Sequence, residues 1–140
     1  MLTAIREAAR DGLSVGMRPS GDELVPGGLR PEDCAEIAGE LRRQGLIDFV
    51  SLALGHSAFP RGSTWIAPPP PAPLNAIADP AAMFRSAVPE VTLISTTRVV
   101  DLGDAARMVA GGVCDLVGMT RAHIADPELI AKATTGPPRP

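Results

Sequence analysis

Four apolar runs punctuate the chain, at 13–17, 46–54, 91–95 and 113–117, and each is followed at once by glycine or polar residues. Such runs, rich in Val, Ile and Leu and without strict alternation, predict strands buried on both faces, as in a parallel sheet. Between them the spacing turns helical. Leu2, Ile5, Ala8 and Ala9 share one side of a helix over 2–10, which Asp11-Gly12 ends. Pro31 suits a first helical position and leads into the stripe Ala35, Ile37, Ala38 and Leu41, with Arg42 and Arg43 in the last turn and Gly45 as the stop. A helix over 77–88 follows, with Asp79 as cap and Pro80 at its first position, carrying Met83, Phe84 and Val88. Asp101 caps the next, from Leu102 through Met108 to Ala110, and Asp126-Pro127-Glu128 starts a last one through Ile130 and Ala133.

Strand and helix therefore alternate, which predicts an α/β fold built on parallel (β/α) units. A closed eight-stranded barrel takes about 250 residues, or roughly 31 per unit, so 140 residues supply about four units and an excursion: half a barrel by length, or else a small open sheet. The expected organisation is one domain over 1–134, with a Pro-rich loop at 57–75 that carries Trp65 and Pro68-Pro69-Pro70-Pro71, and a disordered tail at 135–140. The proline run reads as a stiff connector, its other use being a ligand for an SH3-like module.

Three of the four strands end in arginine, Arg18, Arg98 and Arg121, and the second ends in His56. In a parallel sheet these ends share one edge, the edge at which such folds bind ligands. Past the last strand, Gly118 allows close backbone approach, Thr120 can cap a short helical turn over 122–125, and Arg121 offers a planar guanidinium fork. Amide groups and a helix end would then face an anion clamped by Arg121. The alternatives are a solvated helix-end charge for Arg121 and a salt bridge to Asp22 or Glu23 for Arg18. No catalytic residue is assigned beyond His56 as a candidate, and a lone His at a loop start is more often a hydrogen-bonded surface group. His123 is expected to cap or face solvent, and Asp22-Glu23 to be solvated or capping.

Composition narrows the partners. A 45% hydrophobic content can bury a core, while a net charge of -3, three Phe, one Trp and no Tyr leave little basic or stacking surface, so no nucleic-acid partner is expected. No apolar run approaches the roughly 20 residues of a bilayer span, and the amphipathic start at Ile5-Arg6-Glu7 lacks a signal-peptide core; no membrane partner and a cytoplasmic location are the expectations. Cys34 and Cys114 lack partners at metal-ligand spacing and read as reduced structural thiols.

Four motifs in order carry a family resemblance: Val15-Gly16-Met17-Arg18 with Ser20-Gly21-Asp22-Glu23; Pro26-Gly27-Gly28-Leu29; Gly45-Leu46-Ile47-Asp48; and Asp115-Leu116-Val117-Gly118-Met119-Thr120-Arg121 with Ile124-Ala125-Asp126-Pro127-Glu128-Leu129. Over about 2–133 the chain resembles the Old Yellow Enzyme superfamily, in particular its NADH:flavin oxidoreductase branch, which includes trimethylamine dehydrogenase and 2,4-dienoyl-CoA reductase. The resemblance implies the carboxyl-terminal half, strands five to eight, of an FMN-binding TIM barrel. It implies an oxidoreductase with FMN as cofactor and NADH or NADPH as electron donor, acting on a small-molecule substrate. By it, Arg18 would face the pyrimidine side of the flavin, and Ser95, Thr96, Thr97 and Arg98 with Gly118, Met119, Thr120 and Arg121 would hold its phosphate. The family usually carries glycine where Thr97 stands, and nothing here corresponds to its first four strands or to the branch's iron-sulfur cysteines. A second polypeptide or a second copy completing the barrel is therefore an expected partner. The alternatives to an active domain are a non-catalytic half-barrel subunit and a truncated fragment.

Overall fold

A computed structural model of the chain describes residues 1–9 and 12–135. Strands β1 (Gly16–Met17), β2 (Phe49–Leu52), β3 (Thr92–Ser95) and β4 (Leu116–Val117) form a parallel sheet in the order β1-β2-β3-β4. Around it run α1 (Leu2–Ala8), α2 (Pro31–Arg43), α3 (Pro60–Ile66), α4 (Ala78–Ala87), α5 (Leu102–Ala110), α6 (Thr120–Ala125) and α7 (Leu129–Thr135). The α/β class with an all-parallel sheet is the one that the alternating pattern predicts.

The strands are shorter than their apolar runs, and before β2 and β4 the first residues of the run are spent on the turn out of the preceding helix. At the end of α2, Gly45 adopts φ +67°, its N–H bonds to the Arg42 carbonyl (2.9 Å), and the Leu46 N–H reaches back to Leu41 (2.9 Å). That pair of bonds is a Schellman stop, and glycine has no Cβ to clash there. At the end of α5, Gly112 repeats it at φ +70°, with Gly112 N–H to Val109 and Val113 N–H to Met108, both 3.0 Å. An aspartate three residues past each glycine then ties down the neighbouring strand. The Asp48 carboxylate accepts the Val15 N–H (2.7 Å) and an Arg6 N–H (2.9 Å), and Asp115 accepts the Leu93 N–H (2.7 Å) and pairs with Arg85. Hydrogen bonds to the ionised form hold both carboxyls below the usual carboxylate range; the backbone N–H is the larger cause, with Arg6 helping at Asp48 and Arg85 at Asp115.

The expectation of strands buried on both faces is corrected. Burial alternates: Val50, Leu52 and Leu93 are fully enclosed, packed with Ala35 and Ala38 of α2, Ala81 and Phe84 of α4, and Ala105 and Met108 of α5. Each large apolar side chain enclosed this way contributes on the order of 1.5–3 kcal/mol. Phe49, Ser51 and Ile94 on the opposite face are half-buried, and Leu116 is 54% exposed. The Phe49 ring lies over Gly16, where a Cβ would collide with it. Strands added in sequential order by crossovers of one hand place the crossover helices α2, α4 and α5 on the same face; covering both faces requires the strand order to reverse, which it does not here.

Smaller expectations also change. Asp79 does not cap α4 but lies inside its first turn, after Ile77. The Pro-rich loop at 57–75 contains α3, started by Pro60 at its first position, and buries Pro68. Asp101 caps α5 as expected, accepting the Asp104 N–H at 2.8 Å. Thr135, expected in the disordered tail over 135–140, instead ends α7; Arg10, Asp11 and residues 136–140 lie outside the described residues. No helix among the described residues is long and apolar enough to cross a membrane.

Candidate functional site

A cavity of about 260 Å³ opens at the carboxyl ends of β1, β3 and β4. Its wall comes from Arg18 past β1, residues 96–100 past β3, residues 118–121 past β4, and Ile66 and Ala67 at the end of α3. The parallel register explains the convergence: equivalent strand ends face one edge, so side chains far apart in sequence meet there. Arg18, Arg98 and Arg121 all line the cavity, and no carboxylate does. Among the described residues none of the three arginines is ion-paired. The alternative partners of Arg18 are engaged elsewhere, the Asp22 carboxylate accepting the Leu24 N–H (2.7 Å) and Glu23 that of Leu29 (2.8 Å). Cations gathered without a counter-charge repel one another, and an anion between them relieves that.

His56 does not join this group. Its Nδ1 accepts the Ala58 N–H (2.9 Å) and its ring stacks on Phe59 with centroids 6.0 Å apart, so it holds the start of a turn. Ser95 sits one position below the cavity, fully buried on the helix-covered face, and its hydroxyl has no partner among the described residues. The Thr96 hydroxyl donates to the Leu52 carbonyl (2.7 Å), stitching β3 to β2. Gly118 leaves room for that threonine, since a Cβ on it would fall 2.8 Å from Thr96 Cγ2. Met119 is buried and packs in the core, while Thr120 is the first residue of α6 and makes no side-chain cap, contrary to expectation.

Thr97 and Arg98 turn the backbone over the cavity with φ of +70° and +59°. This left-handed conformation favours glycine and is unusual for a β-branched residue. Thr97 is 8% exposed and its hydroxyl also lacks a partner among the described residues. Arg121 directs one N–H of Nη1 to the Pro68 carbonyl at 3.1 Å. Sequence reasoning missed the contribution of Ile66, Ala67 and Pro68, because nothing in a Pro-rich segment signals a partner 53 positions away.

Both cysteines are free and buried. Burial, with Glu23, Asp33 and Asp22 nearby, pushes the Cys34 thiol up to about 11, and burial raises Cys114 as well, so both stay protonated and unreactive at neutral pH. Among the described residues no cluster of His, Cys, Asp or Glu could hold a metal ion.

No protein-family profile matches the chain. Its sequence is 33% identical over 132 residues to a probable N-methylproline demethylase of Rhizobium meliloti (strain 1021), and 36% identical over 132 residues to an N,N-dimethylglycine/sarcosine dehydrogenase of Chromohalobacter salexigens. It is 30% identical over 136 residues to a multifunctional alkene reductase/demethylase OYE of Caballeronia cordobensis. Each likeness covers 94% of this chain and 19% of the relative, so the chain spans about a fifth of the length of the curated relatives it matches.

Proposed function

We propose that this chain forms one side of the FMN site of a flavin-dependent oxidoreductase, holding the flavin phosphate and meeting its pyrimidine edge. The observation that carries the proposal is the cavity shared by Arg18, Arg98 and Arg121 with no carboxylate in its wall. A phosphate monoester carries about 1.5 to 2 negative charges at neutral pH and three acceptor oxygens, which suits guanidinium forks and the first-turn amides of α6, which lack intrahelical acceptors. The donor set therefore fits the phosphate. The volume, about 260 Å³, is below the usual range of sites that enclose a whole drug-sized ligand, and it suits one end of a longer molecule.

Within this site Arg121 and Arg98 bind and orient the phosphate, while Arg18, past β1, meets negative charge on the part of the ligand nearest to it. Met119 and Val99, both buried, give its wall an apolar part. Bound FMN would supply the redox chemistry, passing a hydride from NADH or NADPH to an organic acceptor. The relatives' names, demethylase, dehydrogenase and alkene reductase, support an oxidoreductase reading and leave the acceptor open.

Titrating the purified chain with FMN, followed by flavin fluorescence, tests the proposal. Saturable binding is expected, with Arg121→Ala weakening it about tenfold or more, since a charge-assisted contact is worth on the order of 1.5–3 kcal/mol. Unchanged binding in the variant would take Arg121 out of the site.

A second reading is favoured by the bare face of the sheet. Four sequential parallel strands with their crossover helices on one side are compatible with half of a (β/α) barrel, strands five to eight by the family resemblance, and the open face and the two outer strands would be covered by a further half, another polypeptide or a second copy. In that case the chain is a subunit or fragment that becomes active only in the completed barrel; light scattering of the isolated chain tests it.

A further inference from the structure

We propose that the excursion between β2 and α4 is a working wall of the anion site and that the Pro68 carbonyl positions Arg121 for the ligand, an inference that rests on the phosphate assignment. The chain leaves β2, is pinned where the His56 N–H meets the Gly62 carbonyl (3.3 Å), and forms α3. It then crosses the carboxyl edge of the sheet. Ile66 and Ala67 line the cavity, and the buried Pro68 presents its carbonyl to Arg121 Nη1 at 3.1 Å. On its way to α4 it touches the site again, where the Asn75 N–H donates to the Arg98 carbonyl (3.5 Å). The segment is thus bonded to two of the three arginine residues that define the cavity.

A guanidinium has five N–H donors in one plane. The Pro68 carbonyl takes one, at Nη1, and leaves the Nη2 and Nε side for a two-point contact with an oxyanion. Arg121 is otherwise an exposed, flexible side chain on a six-residue helix. Holding one edge of its fork removes freedom that ligand binding would otherwise have to remove, which raises affinity without adding a contact to the ligand. Linkage makes the effect reciprocal: an anion held by Arg121 and the backbone past β3 steadies the wall, as the wall steadies the anion. Pro68 and its neighbours are positioning residues, acting through Arg121.

The test is amide hydrogen exchange on the full chain with and without FMN, combined with a double-mutant cycle. FMN is expected to slow exchange at 118–122 and also at 63–67 and 74–76. Pro68→Gly, which loosens the carbonyl without touching Arg121, is expected to weaken FMN binding about threefold to tenfold, and to have no effect on affinity in an Arg121→Ala background. Protection confined to 118–122, or an equal Pro68→Gly effect in both backgrounds, overturns the proposal and leaves the phosphate site standing. Failure of FMN and of inorganic phosphate to bind the unaltered chain removes both. If Pro68→Gly does not fold, exchange on the unaltered chain still decides.

Discussion

Thr97 is where residue-level physics and the site conflict most openly. Its φ of +70° costs an L residue about 1–2 kcal/mol, and its buried hydroxyl, without a partner among the described residues, adds on the order of 1–3 kcal/mol. Replacement by glycine would forfeit about 0.4–1 kcal/mol of chain entropy and roughly 0.8 kcal/mol for a buried methyl. The first pair outweighs the second, so Thr97→Gly is expected to raise the thermal midpoint by a few degrees, and Thr97→Ala, which keeps the Cβ in the left-handed region, by less. A fall in the midpoint with glycine would show that Thr97 packing outweighs its strain. Glycine, the usual residue there in the family that the sequence resembles, adopts this left-handed turn without strain.

At the scale of the element, the chain uses one device twice. Gly45-Leu46-Ile47-Asp48 before β2 and Gly112-Val113-Cys114-Asp115 before β4 each stop a helix with a left-handed glycine and then bond an aspartate to the neighbouring strand and to an arginine. The spacing G-x-x-D was visible in the sequence, but its meaning was not, since the partners Val15 and Leu93 lie 33 and 22 residues away. Because the folded-state pKa of both carboxyls is depressed below 3.8, their contribution is present above that value and is lost as pH falls through the lower, folded pKa. Urea midpoints are therefore expected to be flat with respect to these groups near neutrality and to drop below about pH 4, with a shallower drop in Asp48→Asn and Asp115→Asn, which keep an acceptor for the strand amide. An unaltered acid limb in both variants would place its cause elsewhere.

For the molecule as a whole, the decisive feature is a parallel sheet whose crossover helices α2, α4 and α5 pack on one side. Leu116, Ile94 and Phe49 give the other side an apolar surface, and β1 and β4 carry unpaired edges. Such edges invite association. A copy rotated by half a turn about an axis along the strands sets β4 of one chain beside β1 of the other in parallel, at both edges at once. The isolated chain is expected to scatter light at twice its 14.5 kDa or more at micromolar concentration, and Leu116→Glu, which places a charge on the bare face, to lower that mass. A monomer in the unaltered chain would sink the association reading.

Taken by itself, the sequence determined the class of fold, the alternation of its four strands with the helices between them apart from α3, and the identities of the arginines at three strand ends, because hydrophobic period, helix stops and strand-end residues are local properties. Helix caps were legible where the side chain acts over three residues, as at Asp101, and misread where Asp79 and Thr120 had neighbours that began the helix first. Only the tertiary structure decided that the sheet is bare on one face, that His56 stays out of the cavity while Arg18, Arg98 and Arg121 enter it, and that a proline carbonyl 53 residues away holds Arg121. Those are consequences of strand order and of contacts between distant segments, and an apolar run reads the same whether one of its faces or both are covered.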